Sequence, residues 1–270
     1  MVALKSADFE IQPLTGGFGA SISGIRLGEI DDAEFEVIRK VFLASSVVVF
    51  SEQFLSKDEH VAFAKRWGEF SITPFLNYLE DYPGLLCLEN KGKARSVTEN
   101  WHYDSSFQSE PPSLTILSAQ DVPAGGDTMW SDQYKAFEAL SSGMQDMLSG
   151  VRAEFRGTRL ARLTNSDKPI PSAFHPVVRT HPETGRKALF VGLPGETMGC
   201  LESMTDAESL PILKFLYEHS VLPDHVYRHR WRNGDVVMWD NRCTMHYAVH
   251  DYGDAVRELH RITIKGDKPV

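Results

Sequence analysis

The chain has 270 residues, 42% of them hydrophobic, and a formal net charge of -9 at pH 7. This length and composition predict one globular domain over residues 1–270 with a sizeable core. The negative charge argues against a nucleic-acid partner, and because no stretch of roughly 18 apolar residues occurs, no membrane span is expected.

The N-terminal part of the chain is expected to be helical around one short strand. The first ten residues have mixed charge and no apolar stretch, so no signal peptide is predicted. Apolar periodicity predicts a helix over Asp31–Ala44, followed by a buried strand over Val47–Phe50. Ser56 and Glu59 have the spacing of a capping box, which opens a second helix that we expect to end at Gly68.

The middle of the chain contains a His-x-Asp triplet, His102 and Asp104. Side chains at i and i+2 of an extended segment share one face, so both could bind one metal while Tyr103 turns away. With 10 histidines and 37 acidic residues, about one triplet of a histidine, any residue and an acidic residue is expected by chance. A second triplet, His-Pro-Glu at residues 181–183, lies among turn-forming residues, and we predict no site there. A distant histidine, His246, would complete the ligand set of an Fe(II) facial triad.

The C-terminal block supplies that histidine and two arginines. Val236–Trp239 is predicted to be a buried strand that enters a turn before His246. In Val256–Ile264, which fits an extended segment, Arg257 and Arg261 share one face. An unpaired buried charge is costly, so these arginines need anionic partners. Alone they favour structural ion pairs with the chain's own carboxylates, whereas beside a metal triad they favour bound carboxylate ligands.

The remaining patterns concern helices, loops and cysteines. Thr205 and Glu208 form a second capping box before a later helix. Ser71–Glu99 and Thr158–Ala173 have the composition of loops over the mouth of the site, and both mobile lids and surface linkers fit them. Short strands at the motifs, with helices between them, predict an α+β jelly roll. Widely spaced cysteines predict reduced thiols in a cytoplasmic protein: Cys87, Cys200 and Cys243.

Several of these motifs together resemble the taurine/2,4-D dioxygenase family of Fe(II)- and 2-oxoglutarate-dependent oxygenases, over nearly the whole chain. The resemblance implies a double-stranded β-helix, the cupin-like jelly roll, with flanking helices. The motifs occur in the family's order and spacing: Pro13–Ala20, Ile22–Gly24, Trp101–Asp104, Pro123–Thr128, and Trp239–Arg242 continuing through His246 to Arg261.

The resemblance assigns the metal and its cosubstrates. His102, Asp104 and His246 match the family's iron ligands. The expected cofactors and cosubstrates are Fe(II), 2-oxoglutarate and O2, with ascorbate added in vitro. Related halogenases have a small residue in place of this carboxylate, so Asp104 favours hydroxylation.

The resemblance also assigns the binding of two organic molecules. Thr128 and Arg257 match the pair that holds the distal carboxylate of 2-oxoglutarate. Arg261 matches an arginine that faces the anionic group of the primary substrate. Thr73 stands where the taurine enzymes have a histidine, which argues against taurine itself, and Thr73 and Ser105 are predicted as further substrate contacts.

The expected function is hydroxylation of a C–H bond in a small organic anion, with release of succinate and CO2. The stretches at residues 101–107 and 227–231 favour an aryloxyalkanoate-like carboxylate, although a sulfonate fits Arg261 as well. Two alternatives stay open: a biosynthetic oxygenase of the same class that acts on an amino acid or carrier-bound acid, and a non-catalytic metal-binding jelly roll. A homo-oligomer, dimer or tetramer, is also expected.

Overall fold

A computed structural model describes residues 9–14, 18–73, 76–90, 98–164, 169 and 171–270. Part of the first family motif, residues 15–17, and the tip of the second predicted loop, residues 165–168, lie outside the described residues. So do residues 1–8, which make up most of the N-terminal segment discussed above, and parts of the first predicted loop, residues 74–75 and 91–97.

The described residues form strands and helices in alternation. The strands are β1 (Glu10–Pro13), β2 (Ala20–Ser23), β3 (Val47–Phe50), β4 (Leu85–Asn90), β5 (Leu114–Asp121), β6 (Thr128–Asp132), β7 (Arg152–Arg156), β8 (Ser172–Pro176), β9 (Val178–Thr180), β10 (Lys187–Leu189), β11 (Met198–Leu201), β12 (Val226–His229), β13 (Val236–Asp240), β14 (Thr244–Ala248) and β15 (Arg257–Ile264). The α-helices are α1 (Asp32–Ser45), α2 (Lys57–Lys65), α3 (Gln133–Glu138), α4 (Ser142–Met147), α5 (Thr158–Leu163) and α6 (Asp206–Ser220).

Two facing sheets form the centre of the molecule. The larger sheet has seven strands in the order β1-β2-β3-β13-β5-β15-β4, and the smaller has the order β12-β6-β14. Only the β2–β3 pair is parallel among the pairs of these two sheets in the described chain. A buried cluster joins Leu117, Trp239 and Leu259 of the larger sheet to Trp130 of the smaller one. This is the predicted α+β jelly roll.

The larger sheet is covered on both faces, which explains its long apolar runs. In β13, Val236 and Met238 pack under the N-terminal helices, whereas Val237 and Trp239 point between the sheets. Successive side chains of a strand point to opposite faces, so a strand with two buried faces is apolar throughout. The predicted strand at this position is therefore confirmed, with Asp240 added at its end.

Capping boxes begin the three longest helices of the described chain, two of them as predicted, at Ser56 and Thr205, and one at Asp31 that was not predicted. Asp31 caps α1, Ser56 caps α2 and Thr205 caps α6, and each side chain accepts a hydrogen bond from the backbone of the glutamate three residues later. A capping side chain of this kind satisfies one of the amides that the first helical turn leaves unpaired. The second helix ends at Lys65, a little before the predicted Gly68.

The first predicted loop segment, Ser71–Glu99, is not a continuous loop. Its central residues form β4, the edge strand of the larger sheet, which pairs with β15. The run of Leu85, Leu86 and Leu88 is typical of a strand, whereas the turn-forming residues elsewhere in the segment favour a loop. The second predicted loop, Thr158–Ala173, begins with the short helix α5.

Two further findings bear on the expectations from composition. Within the described residues, no helix is both long and apolar enough to cross a membrane. All three cysteines are unbridged.

Candidate active site

The jelly roll brings His102 and His246 side by side although 144 residues separate them in the sequence. The backbone N–H of each donates to the carbonyl of the other, at 3.0 and 2.9 Å, next to strand β14. Their ring centroids are 4.1 Å apart. Tyr103 turns away as predicted, because its hydroxyl donates to the Leu189 carbonyl at 2.7 Å.

Asp104 lies in the turn after His102, and one ligand atom of each of the three residues lies within 4.8 Å of the others. The Asn100 carbonyl is 2.7 Å from Nδ1 of His102, so a proton on Nδ1 donates to it and Nε2 presents its lone pair. Burial lowers the pKa of both His102 and His246, which keeps the imidazoles neutral. Two neutral imidazoles and a carboxylate fit a ferrous ion.

Asp104 is held as a carboxylate by its surroundings. Burial raises its pKa, but the Arg261 guanidinium and the hydrogen bond from the Thr115 hydroxyl act against this effect, and the pKa is lowered to about 2. One oxygen accepts from the Arg261 guanidinium at 3.2 Å and the other from the Thr115 hydroxyl at 2.7 Å. The side chain therefore keeps its charge at any pH near neutrality.

A relay of hydrogen bonds links this carboxylate to the C-terminal motif. The Asn241 amide donates to the Thr115 hydroxyl at 2.8 Å, and the indole of Trp239 donates to the Asn241 oxygen at 2.8 Å. The four residues lie on β5, on β13 and in two turns, and Thr115, Trp239 and Asn241 are all buried. Such partners orient a ligand side chain before a metal binds.

A pocket of about 190 Å³ opens beside His102 and Asp104. Part of its wall is apolar, contributed by Leu86 and Leu88 of β4 together with Phe107 and Leu160. Arg261 lines the same pocket, so a cation lies close to the candidate metal ligands. A pocket with apolar walls and one placed cation suits a small amphiphilic anion.

Arg257 lies against the turn that leads into β6, the strand that begins at Thr128. The Nε of Arg257 donates to the Gly126 carbonyl at 3.0 Å, two residues before Thr128, and both side chains are buried. The Thr128 hydroxyl accepts from the Trp231 indole at 2.9 Å. Burial lowers the pKa of Arg257, and in the described part of the chain no carboxylate forms an ion pair with it within 4.0 Å.

The glycine pair before β6 makes room for this arginine. Gly125 and Gly126 have φ values of +90° and +69°, in the left-handed region that favours glycine. A Cβ added at Gly126 would come within 2.9 Å of two atoms of Arg257. The Pro-Ala-Gly-Gly-Asp-Thr motif therefore keeps space for a guanidinium.

Thr73 and Ser105, the two residues predicted to contact the substrate, are hydrogen-bonded to each other. The hydroxyl oxygens of Thr73 and Ser105 are 2.8 Å apart. Ser105 lines the pocket and has a φ of 43°, whereas Thr73 is buried and is not part of the pocket lining. The structure thus brings Ser105 to the pocket and places Thr73 behind it.

Two features of the site were missed in the sequence. Arg159 of α5 lines the pocket and forms an ion pair with Glu196 at 3.4 Å. Thr115, which supports Asp104, lies in an apolar strand with no motif around it. No spacing rule points to either residue, since both act through contacts between distant segments. The triplet at residues 181–183 forms a turn, as expected.

A jelly roll that brings two histidines and a carboxylate together is the architecture of the non-haem iron dioxygenases that use 2-oxoglutarate. The model of the family described as "Taurine catabolism dioxygenase TauD, TfdA family" matches residues 10–263. The chain belongs to this family. It is an Fe(II)- and 2-oxoglutarate-dependent dioxygenase, and the non-catalytic alternative is not supported.

Individual relatives agree with the family. A 2,4-dichlorophenoxyacetate dioxygenase of Cupriavidus pinatubonensis is 35% identical, covering 96% of this chain and 98% of the relative. An (S)-phenoxypropionate dioxygenase of Sphingobium herbicidovorans is 31% identical, covering 90% of each chain. A taurine dioxygenase structure from Burkholderia xenovorans has a TM-score of 0.85 and 32% identity, covering 97% of this chain and 93% of the other.

Proposed function

We propose that His102, Asp104 and His246 hold Fe(II) in this enzyme. The observation that carries this proposal is the cluster of three ligand atoms within 4.8 Å beside a pocket that Arg261 also lines. Bound Fe(II), with 2-oxoglutarate and O2, supplies the oxidant that hydroxylates a C–H bond while 2-oxoglutarate becomes succinate and CO2. The protein's own task is to position the two organic molecules and to keep Asp104 charged.

Arg257 and Thr128 are proposed to bind the distal carboxylate of 2-oxoglutarate. A buried guanidinium without a carboxylate partner is costly, and an incoming carboxylate can accept two of its N–H groups. The indole of Trp231 donates to the Thr128 hydroxyl, which leaves the hydroxyl proton available to a ligand oxygen.

The primary substrate is proposed to be a small organic anion with an apolar body, either an aryloxyalkanoate-like carboxylate or a sulfonate or sulfate ester. Arg261 would bind the anionic group, and Leu86, Leu88 and Phe107 would contact the apolar body. Arg261 has five N–H donors, so it can hold Asp104 and a ligand oxygen together. The relatives named for phenoxyacetate and phenoxypropionate support the carboxylate, and an alkylsulfatase of Acinetobacter baylyi, 31% identical, supports the sulfate.

Substrate-dependent succinate formation tests this proposal. The assay contains Fe(II), ascorbate, 2-oxoglutarate and O2 with a panel of aryloxyacetates, aryloxypropionates, alkyl sulfates, taurine and N-acyl amino acids. Strong stimulation by one anionic class is expected. Stimulation only by the N-acyl amino acids would favour the biosynthetic alternative, and stimulation by an uncharged analogue as strong as by its anion would contradict the role of Arg261.

Three broader expectations stay proposals. One is that the chain forms a single domain, in which α5 is part of a lid. Arg159 and Leu160 of α5 would then cover the mouth of the pocket. A second is a homodimer or homotetramer, which sedimentation of the purified protein would test. The third is a cytoplasmic location, supported by the unbridged cysteines.

A further inference from the structure

A second cluster of ligand side chains lies on the opposite face of the larger sheet from the candidate active site. Cys87 of the edge strand β4 stands directly opposite His260 of β15, and Glu258 lies two residues along β15 on the same face. One ligand atom of each lies within 4.8 Å of the others. Arg257 and Arg261 alternate with these residues along β15 and therefore point to the other face.

We propose that Cys87, Glu258 and His260 form a second metal site that binds a borderline divalent cation such as Zn²⁺ or Co²⁺. A thiolate, an imidazole and a carboxylate are the donors that these ions take in proteins. Three ligands on two paired strands are held on a rigid support, and the partial exposure of Cys87 and Glu258 leaves one side open to a water ligand.

Small side-chain movements complete the geometry. Bonds of 2.0 to 2.3 Å in a tetrahedral site imply ligand atoms about 3.3 to 3.8 Å apart. His260 Nε2 and a Glu258 oxygen are already 2.9 Å apart in a hydrogen bond. A bound ion takes the place of the proton between them, and that proton moves to Nδ1 of His260 by exchange with water, so the imidazole coordinates as the neutral base. The Cys87 thiol loses its proton to water.

The local charges favour a cation at this place. Burial raises the pKa of the Cys87 thiol, and the nearby carboxylates of Glu258 and Glu89 raise it further, whereas Lys57 lowers it. The negative charges of Glu258 and Glu89 thus outnumber the positive charge of Lys57 near the thiol. A bound divalent ion would stabilise the thiolate, because the charge of the ion is the largest in the site.

The described chain contains a third cluster of possible metal ligands, which is not available to a metal ion. His181, Asp240 and Cys243 are fully buried. The Arg242 guanidinium already donates to both oxygens of Asp240, at 2.8 and 2.7 Å. A cation there would displace an optimally paired guanidinium, so this cluster carries no proposal.

Sulfur distinguishes the proposed site from the candidate active site, which offers only nitrogen and oxygen. Metal-stripped protein is titrated with Co²⁺ without oxygen while the near-ultraviolet thiolate-to-cobalt charge-transfer absorption is recorded. Two equivalents are expected to bind, one of them with this absorption. In His102→Ala, which lacks one active-site ligand, the absorption is expected to persist whether or not the proposed oxygenase function is correct.

Cys87→Ser and Cys87→Ala are expected to lose the absorption and one equivalent of cobalt. Cys200→Ser is the matched control, because Cys200 is another half-buried free thiol. It is expected to behave as the unmodified protein does. No thiolate absorption in the unmodified protein, or an absorption that survives in both folded Cys87 variants, would overturn the proposal. Thermal melts establish that the variants are folded.

Lys57 provides a second test of the location. Its charge acts on both Cys87 and His260, so a cation bound between them must also experience it. Lys57→Gln is expected to tighten cobalt binding at the sulfur-containing site by about 1.5- to 5-fold, the range of an exposed charge pair. An unchanged affinity would place the ion elsewhere and overturn the assignment.

Discussion

At the scale of single residues, the site separates two arginines that lie four positions apart on one strand. Arg261 donates to Asp104 and lines the pocket, whereas Arg257 contacts the Gly126 carbonyl near Thr128. Their shared face could be predicted from the alternation of a strand. Their different partners could not, because those partners come from segments more than 100 residues away.

The two arginines are predicted to have separable kinetic effects. Arg257→Ala should raise the half-saturating 2-oxoglutarate concentration roughly 10- to 150-fold, since a charge-assisted contact contributes about 1.5 to 3 kcal/mol. Arg261→Ala should chiefly raise the half-saturating concentration of the primary substrate. Steady-state kinetics with each molecule varied in turn checks both effects. If the two effects are exchanged between the variants, the assignments are reversed.

Thr115 is predicted to be a positioning residue for the metal. Thr115→Val removes the hydroxyl that donates to Asp104 and should weaken Mn²⁺ binding roughly 10- to 100-fold. Thr263→Val is the matched control, because Thr263 is the partner of Thr115 on the neighbouring strand and points to the same interior face. Mn²⁺ titration followed by electron paramagnetic resonance measures both. Equal affinities in the two variants would contradict the role of Thr115.

At the scale of elements, most features that depend on the local sequence could be predicted. The capping boxes at Ser56 and Thr205 and the apolar run of β13 are confirmed, whereas the capping box at Asp31 was not predicted. The strand β4 was not predicted, because the turn-forming residues in the same segment favour a loop. Its position as an edge strand depends on pairing with β15, which no local pattern specifies.

The turn before β6 gives a prediction at this scale. Gly126→Ala should raise the half-saturating concentration of 2-oxoglutarate while leaving Mn²⁺ affinity unchanged, because the added Cβ would push against Arg257. Gly185→Ala is a control for backbone strain alone, since Gly185 has the same φ of +69° and no atom within 4 Å of an added Cβ. Identical kinetic effects in both variants would show that strain, not the collision, is responsible.

At the scale of the whole molecule, the candidate site is a product of long-range pairing. Residues near positions 100, 128, 246 and 260 meet only because the two sheets face each other. The sequence indicated these residues through a resemblance to a known family, and without it the His-x-Asp triplet would have stayed near its chance frequency. Local sequence patterns do not specify which distant strands pair, so they do not predict that these residues meet.

We also expect the stability of the whole fold to fall in acid. His60 of α2 is fully buried against the larger sheet, and burial, with the nearby His260, lowers its pKa to about 3. In the unfolded chain this histidine takes up a proton near pH 6.5, whereas in the folded chain it stays neutral down to about pH 3. The stability that His60 contributes is therefore fully present above pH 6.5 and is lost as the pH falls toward 3. The slope that this one group adds is at most about 1.4 kcal/mol per pH unit.

His60→Gln is therefore expected to flatten the dependence of the free energy of unfolding on pH between about 6.5 and 3, whatever its effect on stability at neutral pH. Denaturant unfolding at a series of pH values measures the slope. A slope equal to that of the unmodified protein would mean that His60 takes up its proton in the folded state.

The central claim is that the triad and Arg257 together form one 2-oxoglutarate site. Calorimetric titration of 2-oxoglutarate into Mn²⁺-loaded protein, metal-stripped protein and loaded His102→Ala tests it most directly. Binding is predicted in the loaded protein and should be at least about tenfold weaker, more than about 1.4 kcal/mol, in the other two. Equal affinity with and without metal would contradict the claim, because 2-oxoglutarate would then bind away from the triad.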